Sequence, residues 1–123
     1  MNAQDELKTR DMEILFQPFH SRKLSTPTRI VLPAMTRGFS PNGVPTDQVA
    51  AYYKRRAGHE VGLIITEGTF IDEPSASPSS NYPNFFGGAS LRGWKKVLEA
   101  VHTTDCKIAP QLWHVGMARP FKG

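Results

Sequence analysis

The stretch "VGLIITEGTF", Val61–Phe70, decides how this sequence folds. "VGLII" is a short apolar run without alternation, and "TEG" ends it abruptly with a hydroxyl, a carboxylate and a glycine. A buried strand of a parallel sheet reads this way, because helices cover both faces of the sheet. In such sheets ligands lie beyond the carboxyl ends of the strands, so polar side chains at that edge are placed for chemistry. The reading therefore turns on whether other segments end in the same manner.

Upstream, "RIVLPAMT" (Arg29–Thr36) reads as a first strand, and its Pro33 points to an irregular end because proline cannot donate to a central ladder. The turn chemistry of "RGFSPNGVP" separates it from "TDQVAAYYKRRAG", a helix with Thr46 as N-cap, Gly58 as C-cap and Val49, Tyr52, Tyr53 and Ala57 on its buried face. Downstream of "VGLIITE" lies "GTFIDEPSASPSSNYPNFFGGA", a long Pro-, Ser- and Gly-rich segment of the kind that is functional or disordered. Ser90 is placed to cap a second helix, "LRGWKKVLEAVHTT", in which Leu91, Trp94, Leu98 and Val101 recur at helical spacing. "CKIAPQLW" (Cys106–Trp113) is the third strand candidate, and "ILFQPFHSRKL" (Ile14–Leu24) reads as a short hairpin ahead of the first. Strand, helix, strand, helix, strand implies parallel strands joined by right-handed crossovers, an α/β fold.

Bulk properties exclude several classes. With 123 residues, 39% of them hydrophobic and 21% charged, the chain has ordinary globular composition and at most one domain. It has no apolar run near the roughly 20 residues that span a bilayer, and the opening "MNAQDELKTRDME" is polar, so a cytoplasmic protein with no membrane partner is expected. The one cysteine, Cys106, and four scattered histidines give no metal-ligand spacing. The net charge of +4 is dispersed apart from "YYKRRAG", which suits a solvated helix face, so no nucleic-acid partner is expected.

The three strand candidates do end alike: at Thr36, at Thr66 and Glu67 with Gly68, and at Gln111 with Trp113 and His114 just beyond. Hydrogen-bonding groups without charge, a small residue and an aromatic suit a planar heterocycle with amide-like edges, since glutamine both donates and accepts. The ordered pieces "LFQPFHSRKL", "RIVLPAMTR", "GVPTDQVAAYYKRRA", "GLIITEGT", "NYP" and "QLWHVG" resemble the old yellow enzyme family of flavin-dependent ene-reductases. The resemblance implies a (β/α)8 TIM barrel, of which this sequence carries the amino-terminal three β/α units after a short β-hairpin. It divides the chain into a polar tail over residues 1–13 and a partial FMN-binding barrel domain over residues 14–123.

Family roles carry over residue by residue. Thr36 matches the threonine that hydrogen-bonds the flavin carbonyl beside the reactive nitrogen, and the backbone of Pro33, Ala34 and Met35 would lie against the ring. Gly68 matches the small residue that lets the chain approach the ring, Gln111 the glutamine at the pyrimidine edge, and Tyr82 and Trp113 the substrate-side aromatics. The implied reaction uses NAD(P)H as hydride donor, FMN as carrier and a small-molecule alkene conjugated to a carbonyl or nitro group as acceptor.

The sequence departs from the family at "PAMTR", where "APMTR" is usual, and at Met117, where an arginine is usual. On the resemblance, the carbonyl-binding pair, the tyrosine proton donor and the phosphate loops belong to later units, so no catalytic residue is assigned within these 123 residues. Three strands alone would leave several hundred Å2 of apolar surface wet, a loss on the order of 10 kcal/mol at about 25 cal/mol per Å2. The alternative expectation is therefore a non-catalytic remnant that self-associates or pairs with a complementary barrel fragment.

Plainer readings attach to several residues. Thr36 and Gln111 could simply cap neighbouring backbone, whereas Glu67 suits a structural acid paired with an arginine such as Arg37 better than a catalytic base. His114 fits a loop-ordering role, Cys106 an inert buried thiol, and Phe85 and Phe86 either a pocket mouth or pins for the long loop.

Overall fold

The computed structural model describes residues 11–118, so most of the tail expected over residues 1–13 lies outside them. A helical turn at residues 11–13 runs into a 3-10 turn, Ile14–Phe16. Two short strands follow, β1 (Phe19–His20) and β2 (Ser25–Thr26), paired antiparallel with Phe19 opposite Thr26 and His20 opposite Ser25. The turn between them is closed by Ser21, whose N–H donates to the Leu24 carbonyl at 2.8 Å and whose hydroxyl accepts the Leu24 N–H at 3.1 Å.

The main sheet has the order β3-β4-β5, with β3 at Val31–Leu32, β4 at Leu63–Phe70 and β5 at Lys107–Trp113. Both pairings are parallel, and the crossovers carry helices α1 (Asp47–Ala57) and α2 (Gly88–Val101). The ladder of β3 is much shorter than the expected Arg29–Thr36: it stops at Leu32, immediately before Pro33, which has no N–H to continue it. In contrast, β4 runs three residues past Glu67. Its register against β5 shifts between Ile65 and Gly68, and pairing then resumes through Gly68–Gln111, Thr69–Leu112 and Phe70–Trp113.

The core lies between the helices and the sheet. Val49, Ala50, Tyr53 and Ala57 of α1 and Trp94, Val97 and Val101 of α2 pack with Ile64 and Cys106, while Tyr52 is only half-buried against them. Thr46 is the N-cap of α1 as expected, but its hydroxyl makes no capping bond and donates instead to the Phe39 carbonyl at 3.5 Å. Gly58 is the C-cap.

Two expectations for α2 are overturned. Its N-cap is Gly87, not Ser90, which lies inside the first turn, is buried, and donates to the Gly43 carbonyl at 2.9 Å. Leu91 and Leu98 are 45% and 41% exposed, because the inward face of α2 is formed by Ser90, Gly93, Trp94, Val97 and Val101. The approach of α1 explains that choice of face: a Cβ at Gly93 would stand 2.6 Å from the Pro45 carbonyl oxygen, so only glycine lets α2 pack against the entry to α1. Cys106 is buried, and burial pushes its thiol pKa up, which disfavours the reactive thiolate.

Candidate functional site

The register of the sheet fixes where the strand ends stand. Leu32 lies opposite Ile64, and Ile64 opposite Ile108. Thr36 is four residues beyond Leu32, Gly68 four beyond Ile64, and Gln111 sits directly opposite Gly68. The three residues therefore share the carboxyl edge of the sheet. The Gln111 N–H donates to the Thr66 hydroxyl at 3.3 Å, and that hydroxyl donates to the Glu67 carbonyl at 2.9 Å, which locks β5 to β4 at this level. Among the described residues, neither the Thr36 hydroxyl nor the Gln111 carboxamide has a hydrogen-bond partner, and both side chains are exposed. Pro33 and Met35 are exposed beside them, and Ala34 is half-buried.

At Gly68 a neighbouring side chain leaves no room for a Cβ. A Cβ there would lie 1.8 Å from Cε3 and 2.6 Å from Cζ3 of Trp113. The indole of β5 fills the space in front of the glycine, so Gly68 makes room for a neighbouring side chain. Trp113 in turn stacks on Phe70, with centroids 5.5 Å apart and planes at 18°, and Phe70 stacks on Tyr82 at 6.0 Å and 15°. Phe70, 1% exposed, joins the two expected substrate-side aromatics, although the Pro-, Ser- and Gly-rich sequence that follows makes it look like loop. The signal for it is the two-residue spacing from Gly68 to Phe70, which puts both on one face of a strand.

Tyr82 reaches the site because the long loop is tied to the end of β4. The Phe70 N–H donates to the Pro83 carbonyl at 2.9 Å and the Phe85 N–H to the Phe70 carbonyl at 2.8 Å. The loop is anchored again where the Trp94 indole N–H donates to the Asn84 carbonyl at 3.0 Å. His114 orders the junction of two loops: its Nδ1 accepts the Gly116 N–H at 2.9 Å and its Nε2 lies 3.2 Å from the Ser75 hydroxyl. The Val115 N–H adds a bond to the Ala76 carbonyl at 3.0 Å. Between these loops is a cleft of about 940 Å3, with Phe70, Ile71, Ser77, Phe86 and Met117 among its walls. It borders the aromatic row and does not extend over Thr36 or Gln111.

Glu67, fully buried, pairs with Arg37 at 2.6 Å, as its structural reading requires. The Tyr53 phenol oxygen accepts the Glu67 N–H at 2.8 Å, and burial pushes that phenol's pKa up to about 12. The strand-end row thus presents a hydroxyl, a carboxamide and aromatic faces, with its one carboxylate already neutralised. Such a row can bind and orient a planar group. Among the described residues no cluster of three or more His, Cys, Asp or Glu is placed to hold a metal ion, and no helix is long and apolar enough to cross a membrane.

Comparison with known proteins gives a consistent result. The model of the NADH:flavin oxidoreductase / NADH oxidase family matches residues 14–122. 12-Oxophytodienoate reductase 7 of Oryza sativa subsp. japonica is 36% identical over 104 residues, covering 85% of this chain and 26% of the relative. Chanoclavine-I aldehyde reductase of Penicillium roqueforti is 38% identical over 106 residues, covering 85% and 28%. Among solved structures, morphinone reductase in complex with tetrahydroNAD superposes with a TM-score of 0.76 at 41% identity, over 83% of this chain and 27% of that one. Old Yellow Enzyme from Pichia sp. AKU4542 gives 0.77 at 36% identity, over 84% and 27%. The chain spans about a quarter of the length of the curated relatives it matches.

Proposed function

Because this chain belongs to the NADH:flavin oxidoreductase / NADH oxidase family, the group that includes the old yellow enzymes, we propose that its strand-end row holds FMN in an NAD(P)H-dependent ene-reductase. In this reading the three parallel strands are the first units of a (β/α)8 barrel, and the row lies at the barrel's carboxyl face, where such folds place their sites. One observation carries the proposal: Thr36, Gly68 and Gln111 share the carboxyl edge of the sheet, with a hydroxyl and a carboxamide that have no partner among the described residues. Those groups fit the donor and acceptor edges of an isoalloxazine ring.

The division of labour is the one the family resemblance implies, and side-chain chemistry is compatible with it. Gln111 donates and accepts, so it pairs the pyrimidine edge, while the Thr36 hydroxyl donates to a ring carbonyl and tunes how readily the ring takes an electron pair. The backbone of Pro33, Ala34 and Met35 lines one side of the ring, and Gly68 leaves room for the Trp113 indole. Trp113, Phe70 and Tyr82 then form an apolar wall that excludes water from the substrate side. When bound, FMN supplies the hydride chemistry, from NAD(P)H to the β-carbon of an alkene activated by a carbonyl or nitro group.

The test is a pair of measurements on the full gene product. It should bind FMN and oxidise NADPH with 2-cyclohexenone as acceptor, and Thr36→Ala should retain the flavin while lowering its reduction potential. A Thr36→Ala protein with the parental potential would remove Thr36 from the flavin edge. A second reading, a non-catalytic barrel piece that associates with itself or a complementary fragment, draws on the 50% exposure of Val31 and 58% of Leu112 on the two outer strands. Concentration-dependent association without flavin binding would favour it.

A further inference from the structure

We infer that the Glu67 carboxylate is the positioning residue for the segment Pro33–Thr36, and so for four of the six residues assigned to the cofactor; the inference rests on the FMN reading. The segment has unusually little of its own support. The β3 ladder ends at Leu32, and among the described residues no backbone hydrogen bond reaches residues 33–36. The next anchor along the chain is Arg37, and both of its bonds go to one side chain. Its backbone N–H donates to Glu67 Oε2 at 3.2 Å, and its Nη2 donates to Glu67 Oε1 at 2.6 Å. Beyond Arg37 the chain is next tied down at Phe39, whose carbonyl accepts the Thr46 hydroxyl at 3.5 Å, and at Ser40, whose N–H donates to the Asn81 carbonyl at 3.0 Å.

Glu67 is well placed to be that anchor. It neighbours Gly68 on β4, and its own N–H is held by the Tyr53 phenol of α1 at 2.8 Å. Helix α1 also steadies the other partner: the Arg37 guanidinium lies 3.6 Å from the Tyr52 ring centroid and 5.1 Å from that of Tyr53. One buried carboxylate thereby sets the height of Thr36 relative to Gly68 and, through the β4–β5 pairing, relative to Gln111. A hydroxyl aimed at a fixed ring needs its backbone held to within about half an ångström, a demand that an unpaired segment after a proline does not meet by itself.

A stabilising ion pair and a positioning clasp make different forecasts. Glu67→Gln leaves the Arg37 cation poorly compensated, and its Nε is already buried without a partner, so loss of stability alone would be uninformative. Exchanging both residues, Glu67→Met with Arg37→Met, replaces the pair by apolar groups of similar volume, a change that is often neutral for stability. If the pair only stabilises, the folded double variant should behave as the parent. If Glu67 positions the segment, that variant stays folded while the segment loosens.

The experiment uses the full gene product carrying the double variant, with backbone amide resonances and FMN affinity as its two readouts. The expected result is that the amides of Ala34, Met35 and Thr36 move to random-coil shifts, those of Val49 and Val97 keep native shifts, and FMN binds about tenfold more weakly. Native shifts at residues 34–36 in the folded double variant, or shifted amides with parental FMN affinity, would overturn the inference. Should the double variant not fold, Glu67→Gln is read by the same contrast between residues 34–36 and Val49 with Val97, and a uniform change across both sets would overturn it. A parent protein that binds no FMN would sink the flavin reading, while the amide shifts would still decide the clasp.

Discussion

Replacing Gly68 by alanine tests the architecture of the aromatic wall. The added methyl would lie 1.8 Å from Cε3, 2.6 Å from Cζ3 and 2.8 Å from Cδ2 of Trp113, where ordinary contact begins near 3.4 Å. The indole must retreat by roughly one and a half ångströms, and it is no free end, since it stacks on Phe70 at 5.5 Å. Forcing an extra carbon into a packed site costs about 1–3 kcal/mol, and disrupting an aromatic pair about 0.5–1.5 kcal/mol. The conformational gain from replacing a glycine within a strand offsets roughly 0.5–1 kcal/mol. The net expectation is a loss of about 1–3.5 kcal/mol, read by urea unfolding of the full gene product. The diagnostic assay is a double-mutant cycle with Trp113→Ala: once the indole is gone, Gly68→Ala should cost less than about 0.5 kcal/mol or stabilise. An unchanged cost in that background would refute the reasoning, because the glycine would then serve something other than Trp113.

Other expectations follow from buried polar groups. Tyr53, whose pKa is raised to about 12 from 10.0 by burial, keeps its proton in the folded state after the unfolded chain has lost it, so its contribution to stability is complete below pH 10 and disappears as pH rises towards 12. Parent protein should therefore lose more stability than Tyr53→Phe over that interval, by about 2–3 kcal/mol, in unfolding curves compared at pH 9 and pH 12. Ser90→Ala leaves the Gly43 carbonyl without the bond at 2.9 Å and should lower stability by about 1–2 kcal/mol, whereas a capping serine would be expected to affect only helicity at the end of α2.

Much of this organisation is legible in the sequence because it is periodic. The apolar run at Leu63–Ile65 and the spacing of Val49, Tyr53 and Ala57 reflect burial directly, and the order of segments implies parallel pairing. The pairing of Glu67 with Arg37 was also readable, since a carboxylate at the end of a buried strand needs a cation. What escaped the sequence depends on three-dimensional contacts. The face of α2 is set by the approach of Pro45 to Gly93, which no helical spacing reports, and leucines at Leu91 and Leu98 imitate a core stripe that is in fact exposed. Likewise, β3 looks like eight residues of strand, but the ladder ends at the proline, and what holds the chain beyond it is a side chain thirty residues away in the sequence. Phe70 looks like loop because β4 continues, after a register shift, past its apparent polar end.

The most direct test of the central claim is the FMN dissociation constant of the full gene product with Gln111→Leu. With the Gln111 carboxamide pairing the flavin's donor and acceptor edge, leucine would leave that edge unpaired in a water-poor site, at about 1–3 kcal/mol per buried group. A flavin fluorescence titration should then show binding weakened by roughly tenfold to a hundredfold, with the melting temperature of the flavin-free protein unchanged. Parental FMN affinity in Gln111→Leu, with only a lowered melting temperature, would contradict the account and reduce the strand-end row to structural caps.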